Sequence, residues 1–129
     1  MSAFTDRYPP ELARMLEEPG LPAIGVDEIG IVRDVTAAFE SLWDWPRSRV
    51  VGLPVGELIP PDFLSAHHAA FSRFVLTGSG SMLDQQLAVS IIDGGGRIVP
   101  VEMSLHAGRA DAGWRFVAIA RAPAPVEAS

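Results

Sequence analysis

The sequence predicts an α+β domain with one five-stranded antiparallel sheet, helices on one face of the sheet and an amphipathic helix at the amino terminus. Short β-prone runs lie towards both ends of the chain, and helix formers interrupted by prolines occupy the middle. One run alternates clearly, because Val99, Val101, Met103 and Leu105 fall on one face and mostly polar residues on the other. These patterns favour strands from both ends of the chain that pair in a single sheet.

Composition limits the classes of function. At 129 residues, 48% hydrophobic and 20% charged, the chain has the size and balance of one globular domain. No apolar run approaches the roughly 18 residues of a membrane span, and the amino terminus does not resemble a signal peptide, so we expect a cytoplasmic protein. The net charge is −6 and the ten basic residues, all arginines, are dispersed, so neither nucleic acid nor a membrane surface is an expected partner. The absence of cysteine excludes disulfides, thiolate metal sites and cysteine nucleophiles.

The amino-terminal half predicts a helix, a strand pair and a broken helical connector. Between Pro9 and Glu18, the residues Leu12, Met15 and Leu16 have the i, i+3, i+4 spacing of one helical face. A threonine cap begins the next helix, Pro46 ends it, and the prolines and glycines that follow predict short turns. The two strands and the helix predicted here are Leu21 to Val26, Ile29 to Val35 and Thr36 to Trp45.

The carboxy-terminal half predicts one long helix and three strands. The helix begins at Pro61 or Asp62 and ends near Thr77, where Gly78 suits a left-handed cap. The apolar stripe expected to face the sheet is Phe63, His67, Ala70, Phe71 and Phe74. The strands are Met82 to Ile92, Arg97 to Ala107 and Trp114 to Arg121, joined by glycine-rich turns.

Three stretches follow one another along this sequence: Val51 to Pro61, His67 to Gly78 and Gly95 to Ser104. In this order they resemble the PAS domain family. The first resembles that family's glycine, apolar, Leu-[Ile/Met]-Pro stretch, the second its His, aromatic, Arg-aromatic, Thr-Gly helix, and the third its Asp-Gly, apolar, Pro-apolar-Glu strand entry. The resemblance implies a sensory or signalling domain, not an enzyme, with a ligand pocket between the long helix and the sheet.

The resemblance covers the chain from Leu21 to Arg121. We therefore expect a helical extension at residues 1–20, a PAS domain at residues 21–121 and a flexible tail at residues 122–129. In the family, the last strand usually leaves through Arg-Asp-apolar-Thr into a coiled coil, whereas this chain has Arg121-Ala122-Pro123. The departure implies that the domain signals differently, or through a separate protein.

His67 is the sharpest candidate for a ligand-binding residue. It lies in the middle of the aromatic stripe, and a neutral imidazole in an aromatic pocket suits haem iron. In sequence, the chain is most similar to the PAS domains of oxygen-sensor histidine kinases, in which the proximal histidine precedes an aromatic, Arg-aromatic stretch. His67 matches that histidine, and Arg73 matches the arginine of the stretch. A core histidine bonded to a backbone carbonyl explains the same residue, and a flavin is a further alternative. The residues expected to line the pocket are His67, Phe63, Phe71, Arg73, Phe74 and Met103, with His67 as the metal ligand.

The other candidates have simpler readings. Trp43 and Trp45 are expected to close the core rather than hold a cofactor. His68 and His106 are expected to be solvated, and the dispersed histidines do not favour a zinc site. The run Gly94 to Gly96 predicts a hairpin turn, because no lysine and no helix follow it as a phosphate loop requires.

Two functions from different classes are therefore predicted. In the first, a small molecule or haem binds in the pocket and shifts the domain between two states. In the second, side chains fill the pocket, and the outer face of the sheet, together with Leu12, Met15 and Leu16, forms the surface of a homodimer or of a complex with a signalling protein.

Overall fold

The computed structural model of the protein describes residues 4–78, 80 and 83–124. Its elements follow the predicted order of helix, strand pair, helical connector, long helix and three strands, with a short 3-10 helix at Val55–Leu58. The helices are α1 Pro10–Glu17, α2 Ala37–Trp43, α3 Arg47–Val50 and α4 Pro61–Thr77, and the strands are β1 Ala23–Asp27, β2 Val32–Val35, β3 Gln86–Ile92, β4 Ile98–Ala110 and β5 Gly113–Arg121.

All five strands form one antiparallel sheet, as predicted. Their order is β2-β1-β5-β4-β3, so the last strand of the chain pairs with the first in the centre of the sheet. In this register Gly25 lies opposite Val117, and Ser104 lies opposite Ile119. Strands from both ends of the chain therefore build the middle of the fold.

Several strand boundaries differ from the prediction. Strand β1 begins at Ala23 instead of Leu21, and β2 begins at Val32 instead of Ile29. Strand β3 begins at Gln86, after a turn in which Asp84 adopts a left-handed conformation with φ of 59°; the predicted start, Met82, lies outside the described residues. Strand β4 does not end at Ala107 but continues to Ala110, and Gly108 pairs with Arg115. The glycine remains in the ladder because another element packs directly against its backbone, as described below.

The inner face of the sheet is covered by the connector between β2 and α4. Phe39, Trp43 and Trp45 are 1%, 7% and 6% exposed and pack against both central strands. The indole of Trp43 donates to the carbonyl of Ala120 at 2.8 Å, and that of Trp45 donates to the carbonyl of Ile92 at 3.0 Å. Both polar ring atoms are thereby satisfied, and the expectation that these tryptophans close the core is confirmed.

Helix α1 covers the outer face of the central strands. Leu12 and Leu16 are buried against Ala23, Val117 and Ile119. The prediction that the apolar side of this helix forms a partner surface is therefore wrong for Leu12 and Leu16. Those side chains already cover the sheet of their own chain, while Met15 is partly buried beside them.

A buried carboxylate fixes the start of α1 to the sheet. Asp34 in β2 is 0% exposed and accepts a hydrogen bond from the Tyr8 hydroxyl at 2.7 Å and another from Arg7 at 2.9 Å. Arg47 of α3 approaches the same carboxylate at 3.6 Å. Burial, together with the bond to Asp34, raises the pKa of Tyr8 well above its usual value, so this hydroxyl remains a donor. The amino-terminal segment is therefore held by charge as well as by apolar contact.

Two glycines allow α1 to approach the sheet closely. A Cβ atom on Gly108 would lie 2.7 Å from a Leu12 methyl and 2.8 Å from the Pro9 ring, and one on Gly25 would collide with the Tyr8 hydroxyl. The space around Gly20 is open, with its nearest neighbour at 4.0 Å.

We predict that Gly108→Ala and Gly25→Ala each lower the free energy of unfolding by about 1–3 kcal/mol, because α1 must shift to admit the methyl group. Urea denaturation measures the change, with Gly20→Ala as the matched control. A Gly108→Ala protein as stable as the Gly20→Ala control would contradict this seating of α1.

Candidate functional site

Helix α4 has the local signals that the sequence predicted. Pro61 lies at its first position and Asp62 in its first turn, where a missing N–H and a negative charge are both favourable. Gly78 ends the helix in a left-handed conformation with φ of 72°, and its N–H donates to the carbonyl of Phe74 at 2.7 Å.

The face that α4 turns towards the protein differs in two positions from the predicted stripe. Leu64, His67, Phe71 and Phe74 are the more buried residues, whereas Phe63 is 60% exposed. Ala70 is exposed as well. A methyl of Leu64 lies 3.1 Å from the point where a Cβ on Gly56 would stand, so the bare glycine backbone receives Leu64 instead of its neighbour.

Aromatic rings join α4 to the sheet. The ring of Phe71 lies 5.1 Å from that of Phe116, and the ring of Phe74 lies 5.2 Å from Phe116 and 4.8 Å from Trp114, measured between centroids. These tilted and edge-on contacts each contribute about 0.5–1.5 kcal/mol beyond the area they bury. All of α4 is described, and Phe74 is its only buried residue, at 5% exposure. Helix α4 is thus held mainly at this aromatic seam, with further contacts near Gly30 and Gly56, and most of its other residues are exposed.

The inner face of the sheet is not fully covered on the side of β3 and β4. Met103 lies in β4 opposite Ala120 of β5 and Leu87 of β3. The apolar residues that point inward here but remain only partly buried include Leu87, Val89, Met103, Leu105 and Phe116. We call this set the inner apolar row.

A groove of about 170 Å³ opens between α4 and the turn that joins β1 to β2. We call it the histidine groove. Its lining includes Ile29 and Gly30 from the turn, Val55 and Gly56 from the start of the 3-10 helix, and His67, His68, Phe71 and Ser72 from α4.

His67 lies at the base of α4's inward face and is partly buried. Its ring is 6.0 Å from that of Phe71 and 5.8 Å from that of His68. Burial and, to a smaller extent, the neighbouring His68 lower the pKa of His67 below its usual value of 6.5. The imidazole is therefore neutral at pH 7, with one nitrogen able to donate and the other able to accept.

The structure separates the six predicted pocket residues. His67 and Phe71 line the histidine groove, Phe71 and Phe74 join at Phe116, and Met103 lies in the inner apolar row. Phe63 and Arg73 are exposed on α4.

The histidine groove does not fit a haem. Its volume of about 170 Å³ is smaller than the roughly 300–1,000 Å³ of clefts that hold drug-sized ligands, and a haem is larger than most of these. Arg73 is exposed and does not line the groove, although His67 does. We therefore assign no iron chemistry to His67 in this arrangement, and a flavin is likewise too large for the groove.

His106 is less solvated than the sequence suggested. Its side chain is 21% exposed, with Nδ1 at 3.0 Å from the Asp84 carboxylate and Nε2 at 3.1 Å from the Ser104 hydroxyl. The three groups share the bonding order of a hydrolytic triad, but Ser104 is only 7% exposed in the middle of a strand, which leaves little room for a substrate. The contacts hold the turn before β3 against β4.

Sequence reasoning missed the wall of the histidine groove opposite α4. Ile29 and Val55 are distant from α4 in the chain, and no pattern pairs them with it. The one local signal is Gly30, whose φ of 87° favours glycine and whose missing side chain leaves room beside Phe71.

The described residues include neither a metal-binding cluster nor a membrane-spanning helix. Within residues 4–78, 80 and 83–124, no three histidine, aspartate or glutamate side chains stand close enough to bind a metal ion together. None of the helices in that part of the chain has the length and apolar character of a membrane span.

Comparison with known proteins agrees with the architecture. The model of the PAS fold family matches residues 11–121, from α1 to the end of β5. The chain belongs to the PAS family. A protein of Azorhizobium caulinodans without a described function is 28% identical over 99 residues, which cover 76% of this chain but only 14% of that protein's length. The similarity therefore concerns one segment of that larger relative.

Solved PAS domains share the fold at low identity. One from Colwellia psychrerythraea is 15% identical with a TM-score of 0.65, covering 79% of this chain and 85% of that one. Another from Desulfitobacterium hafniense is 10% identical with a TM-score of 0.67, covering 85% and 99%. The PAS domain of nitrogen regulation protein NR(II) from Vibrio parahaemolyticus is 16% identical with a TM-score of 0.58, covering 90% and 100%. PAS domains are generally sensory or signalling modules, and these neighbours include domains of that kind.

We predict that His67 titrates below pH 6.5 in the folded protein, because burial disfavours the charged imidazole. NMR of the imidazole C–H signals against pH measures the midpoint, with the urea-unfolded chain as reference. The unfolded state then binds the proton more tightly, so this contribution to stability is present above pH 6.5 and is lost as the pH falls. Between pH 7 and pH 5, the free energy of unfolding should fall less in the His67→Gln variant than in the wild type. A His67 titration midpoint at or above 6.5 in the folded protein would contradict the burial of this residue.

Proposed function

We propose that this PAS domain is a sensory module that binds a small apolar ligand between α4 and the inner apolar row. The observation that carries the proposal is the incomplete cover of that row. Leu87, Val89, Met103 and Leu105 point to the core side of the sheet yet remain partly accessible. Removing apolar surface of this kind from water is favourable, by about 25 cal/mol of free energy per Å² that a ligand covers.

The attachment of α4 supports the same proposal. The helix meets the sheet through the rings of Phe71 and Phe74, while most of its other residues are exposed. A ligand that occupies the space beside Phe116 contacts both the sheet and this seam. Its differential affinity for two positions of α4 is what would turn binding into a signal.

The central core has no room for a large cofactor because side chains already fill it. Phe39, Trp43 and Trp45 pack there and bond to the strand carbonyls of Ala120 and Ile92. A ligand of the proposed kind therefore lies on the β3 and β4 side of these rings, and it is small.

A second candidate function is an interaction module. The specific observation that favours it is apolar exposure on α4, where Phe63 is 60% exposed and Leu76 is 86% exposed. A homodimer or a signalling protein that covers these side chains would use α4 without a ligand. In this alternative the partner surface is on α4 and not on α1.

We predict that 1-anilinonaphthalene-8-sulfonate, used as an apolar fluorescent probe, binds the folded protein and that Met103→Trp weakens the binding about tenfold or more, a loss of about 1.4 kcal/mol. The larger indole would occupy the space that the proposal assigns to the ligand. Leu87→Trp on the edge strand should act in the same way and provides a second variant if Met103→Trp does not fold.

The matched control is Ile98→Trp, which places the same side chain at an exposed position of the same strand, 61% accessible. It should bind the probe as the wild type does. Probe binding that is unchanged in both filling variants would overturn the ligand proposal, and a concentration-dependent dimer lost in Leu76→Ser would then favour the interaction module.

An absorption spectrum, recorded as purified and after addition of hemin, tests the haem alternative directly. The proposal predicts no sharp Soret band. A band that shifts with carbon monoxide and disappears in His67→Ala would replace the apolar ligand with haem.

A further inference from the structure

The histidine groove is a second binding space on α4, separate from the inner apolar row. Neither Leu87 nor Met103 lines it. We propose that the histidine groove binds a small molecule with one aromatic ring and a carboxylate. This inference does not depend on the ligand proposed for the inner apolar row.

The size of the groove sets the size of the ligand. Its volume is about 170 Å³, and an apolar protein cavity of about 150 Å³ is known to hold one benzene molecule. The groove therefore has room for a single ring with one small substituent, and a two-ring compound would project into solvent.

The walls of the groove favour a flat apolar ring. Ile29 and Val55 supply aliphatic surface, and Phe71 supplies an aromatic ring for a tilted or offset contact. Gly30 and Gly56 add no side chains, and a Cβ on Gly56 would already stand 3.7 Å from the His68 imidazole. The two bare backbones keep the space open in front of the histidines.

The polar groups of the groove favour an anion. His67, His68 and Ser72 line it, and each can donate a hydrogen bond to a carboxylate oxygen, whereas none of the lining residues is an acid or an arginine. The pair of imidazoles has no acidic partner within the lining, so the ligand is the group that supplies the negative charge.

The charged residues of the neighbouring elements are engaged elsewhere or face outward. Asp27 pairs with Arg33 at 2.7 Å, and the Glu28 carboxylate lies against Gly113. Glu57 in the 3-10 helix is exposed and does not line the groove. These groups do not neutralise the histidines before a ligand arrives.

Proton linkage follows from this arrangement. In the free protein the partly buried His67 favours its neutral form. A carboxylate beside it favours the protonated form, so binding takes up protons and strengthens as the pH falls. A neutral ligand of the same shape should lack this dependence.

The test is a titration of the full chain with benzoate, followed by NMR of the imidazole C–H signals at pH 6 and pH 8. We expect benzoate to raise the titration midpoint of His67 by about one unit and therefore to bind about threefold more tightly at pH 6 than at pH 8. His106, on the other face of the sheet beside Asp84, is an internal control whose signal should not move.

Two ligand controls separate the ring from the charge. Benzamide, the neutral analogue, should bind more weakly and equally at both pH values, and acetate should bind much more weakly than benzoate. Ser72→Trp should abolish benzoate binding by filling the groove, while Ser65→Trp, an exposed position on the same helix, should not change it.

The inference is overturned if benzoate leaves the His67 and His68 signals unmoved, if benzamide or acetate equals benzoate, or if Ser72→Trp binds benzoate as the wild type does. Benzoate binding that survives in Met103→Trp supports a site distinct from the inner apolar row. Benzoate binding lost in Met103→Trp but kept in Ser72→Trp would move the ligand to that row and overturn the assignment to the groove.

Discussion

The central pair of strands is apolar on both faces, and the rest of the structure depends on covering both. Every residue of β1 is buried, and residues Val117 to Ala120 of β5 are buried without alternation. Such strands cannot face water on either side. The connector with Trp43 and Trp45 covers the inner face, and α1 covers the outer face, where Gly25 and Gly108 let it sit close to the backbone.

In the described part of the chain, the cover of the inner face is incomplete over β3 and β4. On the inner side of β3 and β4, α4 reaches the sheet through two phenylalanines and leaves apolar side chains such as Met103 and Leu105 partly accessible. On its other flank, α4 stands over the β1–β2 turn and leaves the histidine groove. Both proposed binding spaces thus result from the light attachment of α4. A ligand in either space would contact α4 and would therefore influence its position.

Local signals were sufficient to predict the elements, and long-range packing decided what they missed. The caps at Thr36 and Gly78 placed their helices correctly, because each cap depends on neighbouring residues. Three features depend instead on residues far away in the chain. They are the outward orientation of Phe63, the continuation of β4 through Gly108 and the lining of the histidine groove by Ile29. Periodicity gives the face of a helix to within one residue, and on α4 that residue decided that Leu64 rather than Phe63 faces Gly56.

Amide hydrogen exchange tests the central claim, that α4 is the lightly held element over a partly open sheet. The account predicts that α4 exchanges much faster than β1 and β5, because opening it breaks few buried contacts, and that a ligand bound beneath it slows that exchange. Protection of α4 equal to that of the central strands, in the protein without added ligand, would contradict the account.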